Sequence, residues 1–465
     1  MSDELKEEEQ NLSDLFLEIL AKEDAQILKE FLDEQNISDV VELVNEFPEQ
    51  EATIIDNMTV HRAVSVFKIL DINQQKDIIK ELPARKTAKI LNELPPDDRT
   101  DFLEELPKAA IRDLIKLLDP EERKITLSLL GYPEDSVGRL MTPDYVYVYP
   151  HYTVAQVLDT IRKYGKNSET IDVIYIIDEF GGLVDDMRIR DLLLAKPNDV
   201  VADIIDGRFV ALNVYDDQEH ASQVFKMNNR TAIPVVDDND ILLGIVTIDD
   251  ILWVTNEEFS EDMQKMGGTE ALNEPYLDIS LKKLFQKRIT WLVILFFGEM
   301  FTATAMGYFE GEMQKAIVLT LFIPLILSSG GNSGSQASTL IIQAMSIGEI
   351  TIADWWKILK RELTSGLLLG GVLGIIGFFR IMIWHYIKPG YYGLHPILVA
   401  ITIGFTLLGV VIWGTITGSM LPILLKRLGA DPAASSAPFV ATLVDVTALI
   451  IYFSVALLIL KGTLL

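Results

Sequence analysis

The chain has 465 residues, of which 40 are basic and 68 acidic, and its formal net charge at pH 7 is −28. Such an acidic chain lacks the basic surface that phosphate binding needs, so we expect no nucleic-acid partner. The absence of cysteine excludes disulfide bonds and thiolate metal sites. Residues 289–465 contain nine basic and eight acidic side chains, so nearly all of the negative charge lies in the first 288 residues.

The N-terminal quarter predicts a set of short helices. Residues 1–20 are expected to be a flexible acidic N-terminus, and residues 21–135 have apolar residues at three- and four-residue spacing, which is typical of an all-α domain. Related segments that open with Glu-Leu-Pro start at Glu81, Glu93 and Glu105, twelve residues apart. Because such short helices cannot bury a face alone, they predict a superhelical stack.

One of these repeats contains two adjacent acids, Asp97 and Asp98, directly after Pro95-Pro96. The prolines favour a helix start, so both carboxylates fall in a first helical turn, where the helix dipole stabilises negative charge. Helix capping and metal binding explain these acids equally well.

Residues 136–200 and 201–256 form a tandem repeat with the pattern β-α-β-β-α. Ile177-Asp178 aligns with Val236-Asp237 at the same offset of 59 that relates Asp191 to Asp250. The pattern resembles a pair of CBS domains, which implies an adenine-nucleotide site such as an ATP site between the copies. Asp191 and Asp250 occupy the position from which that family contacts the ribose. The usual glycine before the last strand is replaced in the first copy by residues 184–186, Val-Asp-Asp.

A connecting helix is predicted over residues 257–280, after the second repeat. Within residues 249–268, Leu252, Phe259, Met263 and Met266 fall near one helical face, whereas the acids cluster on the other face. Carboxylates at three- and four-residue spacing repel one another, so this face is either well solvated or neutralised by bound cations.

Residues 281–465 predict a membrane domain with five spans, at about 289–309, 316–343, 363–387, 396–425 and 437–461. Each span is long enough to cross a hydrocarbon core of about 30 Å. Basic residues flank alternate ends of the spans, and the positive-inside bias makes that side cytoplasmic. We therefore expect cytoplasmic N-terminal domains, an extracytoplasmic C-terminus and a location in the bacterial inner membrane.

The second span contains the small and polar run Gly-Gly-Asn-Ser-Gly-Ser-Gln at residues 330–336. This run predicts an interruption of the apolar helix, which is tolerated at membrane depth only beside protein or a water-filled path. Close helix packing through small residues is the alternative. Asn332 and Gln336 favour a path lining, because packing alone does not need their polar groups.

Asp445 lies in the middle of the fifth span, where a carboxylate is costly and marks an ion or proton site by default. The alternatives are a protonated carboxyl or a pair with an arginine, but no basic residue lies near Asp445 in its own span and Arg380 lies near the outer end of the third span. Glu299 in the first span is a second intramembrane acid and a weaker candidate for the same role.

The combined motifs resemble the MgtE family of magnesium transporters, most specifically through the second span and the PFVATLVDVTALIIY segment of the fifth. The resemblance implies a multidomain fold: an all-α superhelical N-domain, an α/β CBS pair and an α-helical five-span transmembrane domain. It also implies a homodimer in the lipid bilayer. In this dimer, Asp445 of both subunits would bind a hydrated Mg²⁺ ion, and the backbone carbonyl of Ala441 would assist. Cytoplasmic Mg²⁺ would close the gate by binding acidic residues. Mg²⁺ dehydrates reluctantly, so a site with few carboxylates suits it.

The same resemblance places the regulatory acids in the N-domain, the second CBS copy, the connecting helix and the entrance of the fifth span. The matching residues are Asp97, Asp98, Asp101, Asp217, Glu219, Asp250, Glu258, Glu261, Asp262 and Asp431. Trp253 and Asn229 stand where this family often has acids, which would weaken or move a regulatory site.

Other functional classes compete with this hypothesis, and enzymatic activity is not expected. An intramembrane metalloprotease would need a His-Glu-x-x-His motif, which the sequence lacks. An anion channel would need a basic filter rather than a carboxylate. Transport of Co²⁺ or Mn²⁺ stays open, although the lack of His, Cys or Met ligands around Asp445 favours a hard ion. A sensor without transport activity also stays open.

Overall fold

The computed structural model describes residues 12–22, 24–272, 276–277 and 279–464. Most of the predicted flexible N-terminus, residues 1–11, lies outside this part of the chain. The chain divides into two compact units, Met1–Thr255 and Asn256–Leu465, which are considered separately below.

The first unit begins with the predicted stack of short helices, which extends beyond the repeats found in the sequence. Five successive helices begin at Ile72, Ala84, Pro96, Lys108 and Pro120, so the twelve-residue period is confirmed. Buried apolar residues from Phe16 to Leu118 form one continuous core, whereas Leu129 of the last helix packs into the core of the second repeat. The helices are 12–20, Ala25–Glu34, Ile37–Glu46, Glu51–Asn57, Val60–Phe67, Ile72–Glu81, Ala84–Glu93, Pro96–Glu104, Lys108–Ile115 and Pro120–Leu129.

Each copy of the tandem repeat forms a three-stranded sheet, as the α/β prediction requires. In both sheets the first strand is parallel and the third antiparallel to the central strand. The strands are β1 (Tyr147–Val148), β2 (Val173–Ile177), β3 (Leu183–Arg188), β4 (Leu212–Asn213), β5 (Ala232–Val236) and β6 (Leu242–Thr247). The repeat helices are Val137–Leu140, Val154–Tyr164, Ile189–Leu194, Val201–Ile204 and Gln218–Asn228. Apolar residues from β2, β3, β5 and β6 share one core, so the two sheets pack together.

The connecting helix runs from Ile248 to Met266, so it begins inside the second repeat and ends before residue 280. It terminates at Gly267 and Gly268, and Gly268 has a positive φ of 76°. Part of the remaining predicted segment, residues 273–275 and 278, lies outside the described residues.

The second unit contains, within the described residues, five helices long and apolar enough to cross a membrane. We number them as spans: the first is Leu281–Tyr308, the second Ile323–Ser346, the third Trp355–Ile387, the fourth Pro396–Arg427 and the fifth Ala437–Leu460. Short helices Glu310–Lys315 and Ile317–Thr320 join the first two spans. The predicted spans are thus present, with the first and third starting earlier because their basic N-terminal ends are also helical.

Small residues bring the second span very close to the fourth and fifth. A Cβ added at Gly418 would lie 2.0 Å from the carbonyl oxygen of Gly334, and one added at Gly414 would lie 2.6 Å from that of Gly330. Side chains at these positions would therefore force the backbones apart, which is the reason for small residues at membrane helix contacts. This packing fixes the register of the polar residues in the second span.

Candidate functional site

The second span is an uninterrupted helix through residues 330–336, so the predicted break in this helix is wrong. Gly330, Gly331 and Gly334 are buried against the neighbouring spans, which is the packing role considered as the alternative. Asn332 and Gln336 are exposed on the opposite side of the helix. The run therefore serves packing on one face and presents polar groups on the other, and a path-lining role for Asn332 and Gln336 remains a prediction.

Asp445 is half-buried in the fifth span, beside the second span. A Cβ added at Gly331 would lie 3.3 Å from the Ala441 Cβ and 3.6 Å from the Asp445 carboxylate oxygen Oδ1. Because Gly331 has no side chain, the second span leaves a space beside the Asp445 carboxylate and Ala441. Asp445 and Ala441 lie one turn apart on the same helix, as a shared site would require.

Arg380, the arginine considered as a partner for Asp445, is engaged elsewhere. Its guanidinium donates a hydrogen bond to the Tyr392 hydroxyl at 3.3 Å, and it lies 5.2 Å from the centre of the Trp384 ring. These contacts are near the C-terminal end of the third span. They do not support the interpretation of Asp445 as one half of an arginine pair.

Asp431, at the start of the fifth-span segment, is linked to the connecting helix by a lysine. The Lys265 amine donates to Asp431 Oδ2 at 2.7 Å and also pairs with Glu261, one turn earlier in its own helix. Burial alone would lower the pKa of Lys265, but hydrogen bonds to Asp431 and Glu261 raise it overall, so the amine stays charged. Both acids were predicted from the sequence, but Lys265 was not. Lys265 and Asp431 are 166 positions apart in the sequence, so only the fold brings them together.

The first unit contains a cluster of acids around the first turn of the Pro96–Glu104 helix. Asp97 is buried, and its Oδ1 atom has no hydrogen-bond partner among the described residues. Burial, followed by the charge of Asp250, raises the pKa of Asp97 well above its ordinary value. Burial also raises the pKa of Asp250 to about 7, against a hydrogen bond from Thr247 that lowers it.

Asp98 belongs to the same cluster and has a basic partner. It lies 3.5 Å from the Lys68 amine, and the charges of Glu169 and Asp249 also act on that amine. Sequence analysis missed Lys68, Glu169 and Asp249. Asp249 could have been noticed as the neighbour of Asp250, whereas nothing around Glu169 distinguishes it.

The acidic side chains do not form a ready-made metal cage. Within the described part of the chain, no group of three or more His, Cys, Asp or Glu side chains is arranged to hold a metal ion. An ion that binds at the Asp97–Asp250 cluster would therefore have to contact fewer acids directly or draw them together.

Two of the proposed regulatory acids have local structural roles. Asp217 caps the Gln218–Asn228 helix by accepting a hydrogen bond from the Glu219 backbone N–H at 2.8 Å. Glu219 itself accepts a hydrogen bond from Gln223 at 3.4 Å. Asn229 ends the same helix with φ 48° and ψ 51°, a left-handed conformation that asparagine tolerates well, so its identity has a conformational explanation.

The remaining regulatory candidates lie on helices. Asp101 is exposed on the Pro96–Glu104 helix, while Glu258 and Asp262 are half-buried on the connecting helix. Trp253 is 66% exposed on that helix. Their metal-binding roles stay predictions.

The Val-Asp-Asp departure in the first CBS copy has a structural explanation. Asp185 is buried and accepts hydrogen bonds from the backbone N–H groups of Asp206 and Gly207 at 3.0 and 2.8 Å. Asp186 forms an ion pair with Arg230 of the second copy at 2.9 Å. These acids therefore stabilise the segment at residues 206–207 and the contact between the copies. Asp191 is exposed in the first turn of its helix, and its contact with a ribose stays a prediction.

The five apolar helices, the helical N-terminal domain and the CBS pair together define a multi-pass membrane protein with the domain organisation of a cation transporter. Family models agree: MgtE, described as a divalent cation transporter, matches residues 323–455, and the MgtE intracellular N domain matches residues 35–135. The CBS domain model matches residues 137–198 and 201–256. The intracellular N domain of this family agrees with the expected cytoplasmic side of the N-terminal domains.

Relatives give the same assignment. The chain is 38% identical over 354 residues to the magnesium transporter MgtE of Thermus thermophilus, covering 76% of each chain. It is 30% identical to the magnesium transporter MgtE of Bacillus subtilis, covering 73% of each chain. The chain therefore belongs to the MgtE family, as the sequence motifs indicated.

Solved structures resemble the cytoplasmic part of the chain. The cytosolic domain of the Mg²⁺ channel MgtE in complex with ATP matches with a TM-score of 0.51 and 34% identity, covering 52% of this chain and 99% of that chain. The soluble part of a magnesium transporter also matches with a TM-score of 0.51, at 27% identity, covering 54% of this chain and 99% of that chain.

Proposed function

We propose that this protein is a Mg²⁺-selective channel or facilitated transporter that takes up Mg²⁺ across the bacterial inner membrane. The observation that carries the proposal is the half-buried Asp445 carboxylate in the middle of the fifth span, adjoining Gly331 and Ala441. Magnesium transport by the Thermus and Bacillus relatives supports the choice of ion. Transport of Co²⁺ or Mn²⁺ is the alternative, because a carboxylate and a carbonyl do not exclude these ions.

The proposed path lies on the twofold axis of a homodimer, with Asp445 of both subunits binding the hydrated ion. Mg²⁺ prefers oxygen ligands and keeps several waters, so a carboxylate assisted by the Ala441 carbonyl provides suitable chemistry. Asn332 and Gln336 on the exposed face of the second span would line the path. The N-terminal domains are cytoplasmic and the C-terminus is extracytoplasmic in this arrangement.

We further propose that cytoplasmic Mg²⁺ closes the path by binding acids of the N-domain, the second CBS copy and the connecting helix. The cluster of Asp97, Asp98 and Asp250 supports this, because buried like charges favour neutralisation by a proton or a cation. The ion then shifts the population toward the closed state, since it binds that state better. Asp431, held to Lys265, marks the end of the connecting helix at the entrance of the path.

Adenine-nucleotide binding by the CBS pair is also proposed, and the ATP complex of the solved MgtE cytosolic domain supports it. Of the two ribose candidates, Asp191 is better suited. Asp250 already accepts a hydrogen bond from Thr247 at 2.5 Å and interacts with other acids.

The transport proposal is tested by Asp445→Asn, which keeps the size of the side chain and removes its charge. We expect the variant to be made as a folded dimer and to lose Mg²⁺-dependent growth of a host that lacks its own Mg²⁺ uptake. Growth equal to that of the wild type at limiting Mg²⁺ would exclude Asp445 as the transport site. Repeating the growth assay with limiting Mn²⁺ or Co²⁺ separates the two ion assignments.

A further inference from the structure

We infer that Glu299 of the first span is a second carboxylate on the ion path, acting with Asp445 on the hydrated divalent cation. The inference rests on the proposed role of Asp445 and extends the binding surface to a helix that the motifs of the second and fifth spans do not include.

Glu299 lies deep within the first span. It follows Arg288, the last basic residue of the cytoplasmic end, by eleven residues, which corresponds to about 16 Å along a helix. That distance is about half of a hydrocarbon core of about 30 Å. The next basic residue in the chain is Lys315, so the first span offers Glu299 no charge partner of its own.

Contacts between the first and fifth spans place Glu299 at the level of Asp445. A Cβ added at Gly298 would lie 2.6 Å from the Thr442 methyl carbon, and Thr442 precedes Asp445 by one turn. The two helices are also joined nearer the cytoplasmic end, where the Trp291 ring N–H donates to Ser436 at 3.0 Å.

The extracytoplasmic end of the same contact is fixed by aromatic stacking. The rings of Phe309 and Phe453 are stacked with their centres 4.7 Å apart. Gly298 and Phe309 therefore lie on one face of the first span, and Glu299 lies on the flank of that face. The carboxylates of Glu299 and Asp445 are close enough to interact electrostatically.

The Glu299 side chain is exposed within one protomer, and this exposure favours a functional role for Glu299 over a structural one. The side chain is exposed, so it would face acyl chains if nothing else covered it, and a charged carboxylate at that depth is costly. A water-filled path beside Asp445 provides the solvation that lipid cannot.

The chemistry of two carboxylates favours a divalent hydrated ion. Each can accept hydrogen bonds from coordinated water without stripping it, and the doubled negative charge attracts a dication more strongly than a monovalent ion. Glu299 thus increases the selectivity of the path for divalent over monovalent cations, whereas Asp445 binds the ion beside the second span.

The test compares Glu299→Gln with Glu310→Gln, an exposed acid in the short helix outside the first span, in purified protein reconstituted in vesicles. We expect Glu299→Gln to lower Mg²⁺ flux about tenfold and to weaken block by hexaamminecobalt(III), a probe that resembles hydrated Mg²⁺ in size and does not release its ligands. Glu299→Asp should retain part of both properties, and Glu310→Gln should match the wild type.

Wild-type flux and wild-type block in Glu299→Gln would overturn the inference, and so would equal losses in Glu310→Gln. Asp445→Asn, measured in parallel, separates this failure from failure of the transport proposal. If Asp445→Asn abolishes flux and Glu299→Gln does not alter it, only the role of Glu299 is wrong. Wild-type size-exclusion elution and thermal unfolding of Glu299→Gln show that its loss of flux does not reflect misfolding.

Discussion

Replacing Lys265 by methionine tests how the connecting helix is held at the entrance of the path. Methionine keeps most of the length of the side chain and removes the charge that joins Glu261 to Asp431. If the gate closes with this helix end at Asp431, the variant loses one attachment of the closed state. We therefore expect higher Mg²⁺ flux at low cytoplasmic Mg²⁺ and a higher Mg²⁺ concentration for half-closure.

The size of the effect follows from the exposure of the pair. The side chains of Lys265 and Asp431 are 31% and 38% exposed, so the ion pair is neither fully buried nor free in solvent. Hydrogen bonds to charged groups stabilise a structure by about 1.5–3 kcal/mol, and exposed ion pairs stabilise it by about 0–1 kcal/mol. The Lys265–Asp431 pair lies between these cases, so we expect it to stabilise the closed state by about 1–2 kcal/mol. That range changes the open–closed equilibrium by about 5- to 30-fold.

The assay is Mg²⁺ flux into vesicles as a function of Mg²⁺ on the cytoplasmic side. Lys265→Arg should gate nearly like the wild type because it keeps the charge, and Lys282→Met controls for loss of an exposed lysine near the membrane. An unchanged closing curve in Lys265→Met would refute the reasoning. A shift to lower Mg²⁺ would refute it too, because it would mean that the lysine competes with Mg²⁺ for Asp431 rather than supporting closure.

Two further predictions concern packing and protonation. Gly418→Ala places a Cβ 2.0 Å from the carbonyl oxygen of Gly334, so thermal unfolding in detergent should occur at a temperature lower by several degrees, whereas Gly307→Ala, with no atom within 4 Å, should unfold like the wild type. A wild-type unfolding temperature for Gly418→Ala would show that the contact is looser than described. Because the folded-state pKa values of Asp97 and Asp250 are raised, the folded state binds more protons than the unfolded state, so stability without Mg²⁺ should rise as pH falls from 8 to 6. Mg²⁺ should therefore raise the unfolding temperature more at pH 8 than at pH 6, and the opposite order would contradict the assignment of these acids as cation-binding groups.

The sequence predicted the elements of the fold because their patterns are local. The twelve-residue period of the N-domain, the two CBS copies and the five apolar spans each follow from spacing within a short window. The run at residues 330–336 was misinterpreted as a helix break because glycine weakens isolated helices. Here, close contacts such as that of Gly334 with Gly418 keep the helix continuous.

Contacts between distant residues could not be predicted from spacing. Lys265 meets Asp431 only after the membrane helices have packed, and Glu169 joins the charges around Lys68 only through the fold of the first unit. Asp217 illustrates the reverse case, because a residue assigned to metal binding by resemblance has a capping role that its local sequence also supports.

Mg²⁺ flux through the purified protein in vesicles, with wild type and Asp445→Asn measured side by side, tests the central claim most directly. We predict rapid Mg²⁺ entry through the wild type, reduced when Mg²⁺ is raised on the cytoplasmic side, and no entry above empty vesicles for Asp445→Asn. Equal entry through both proteins would contradict the account.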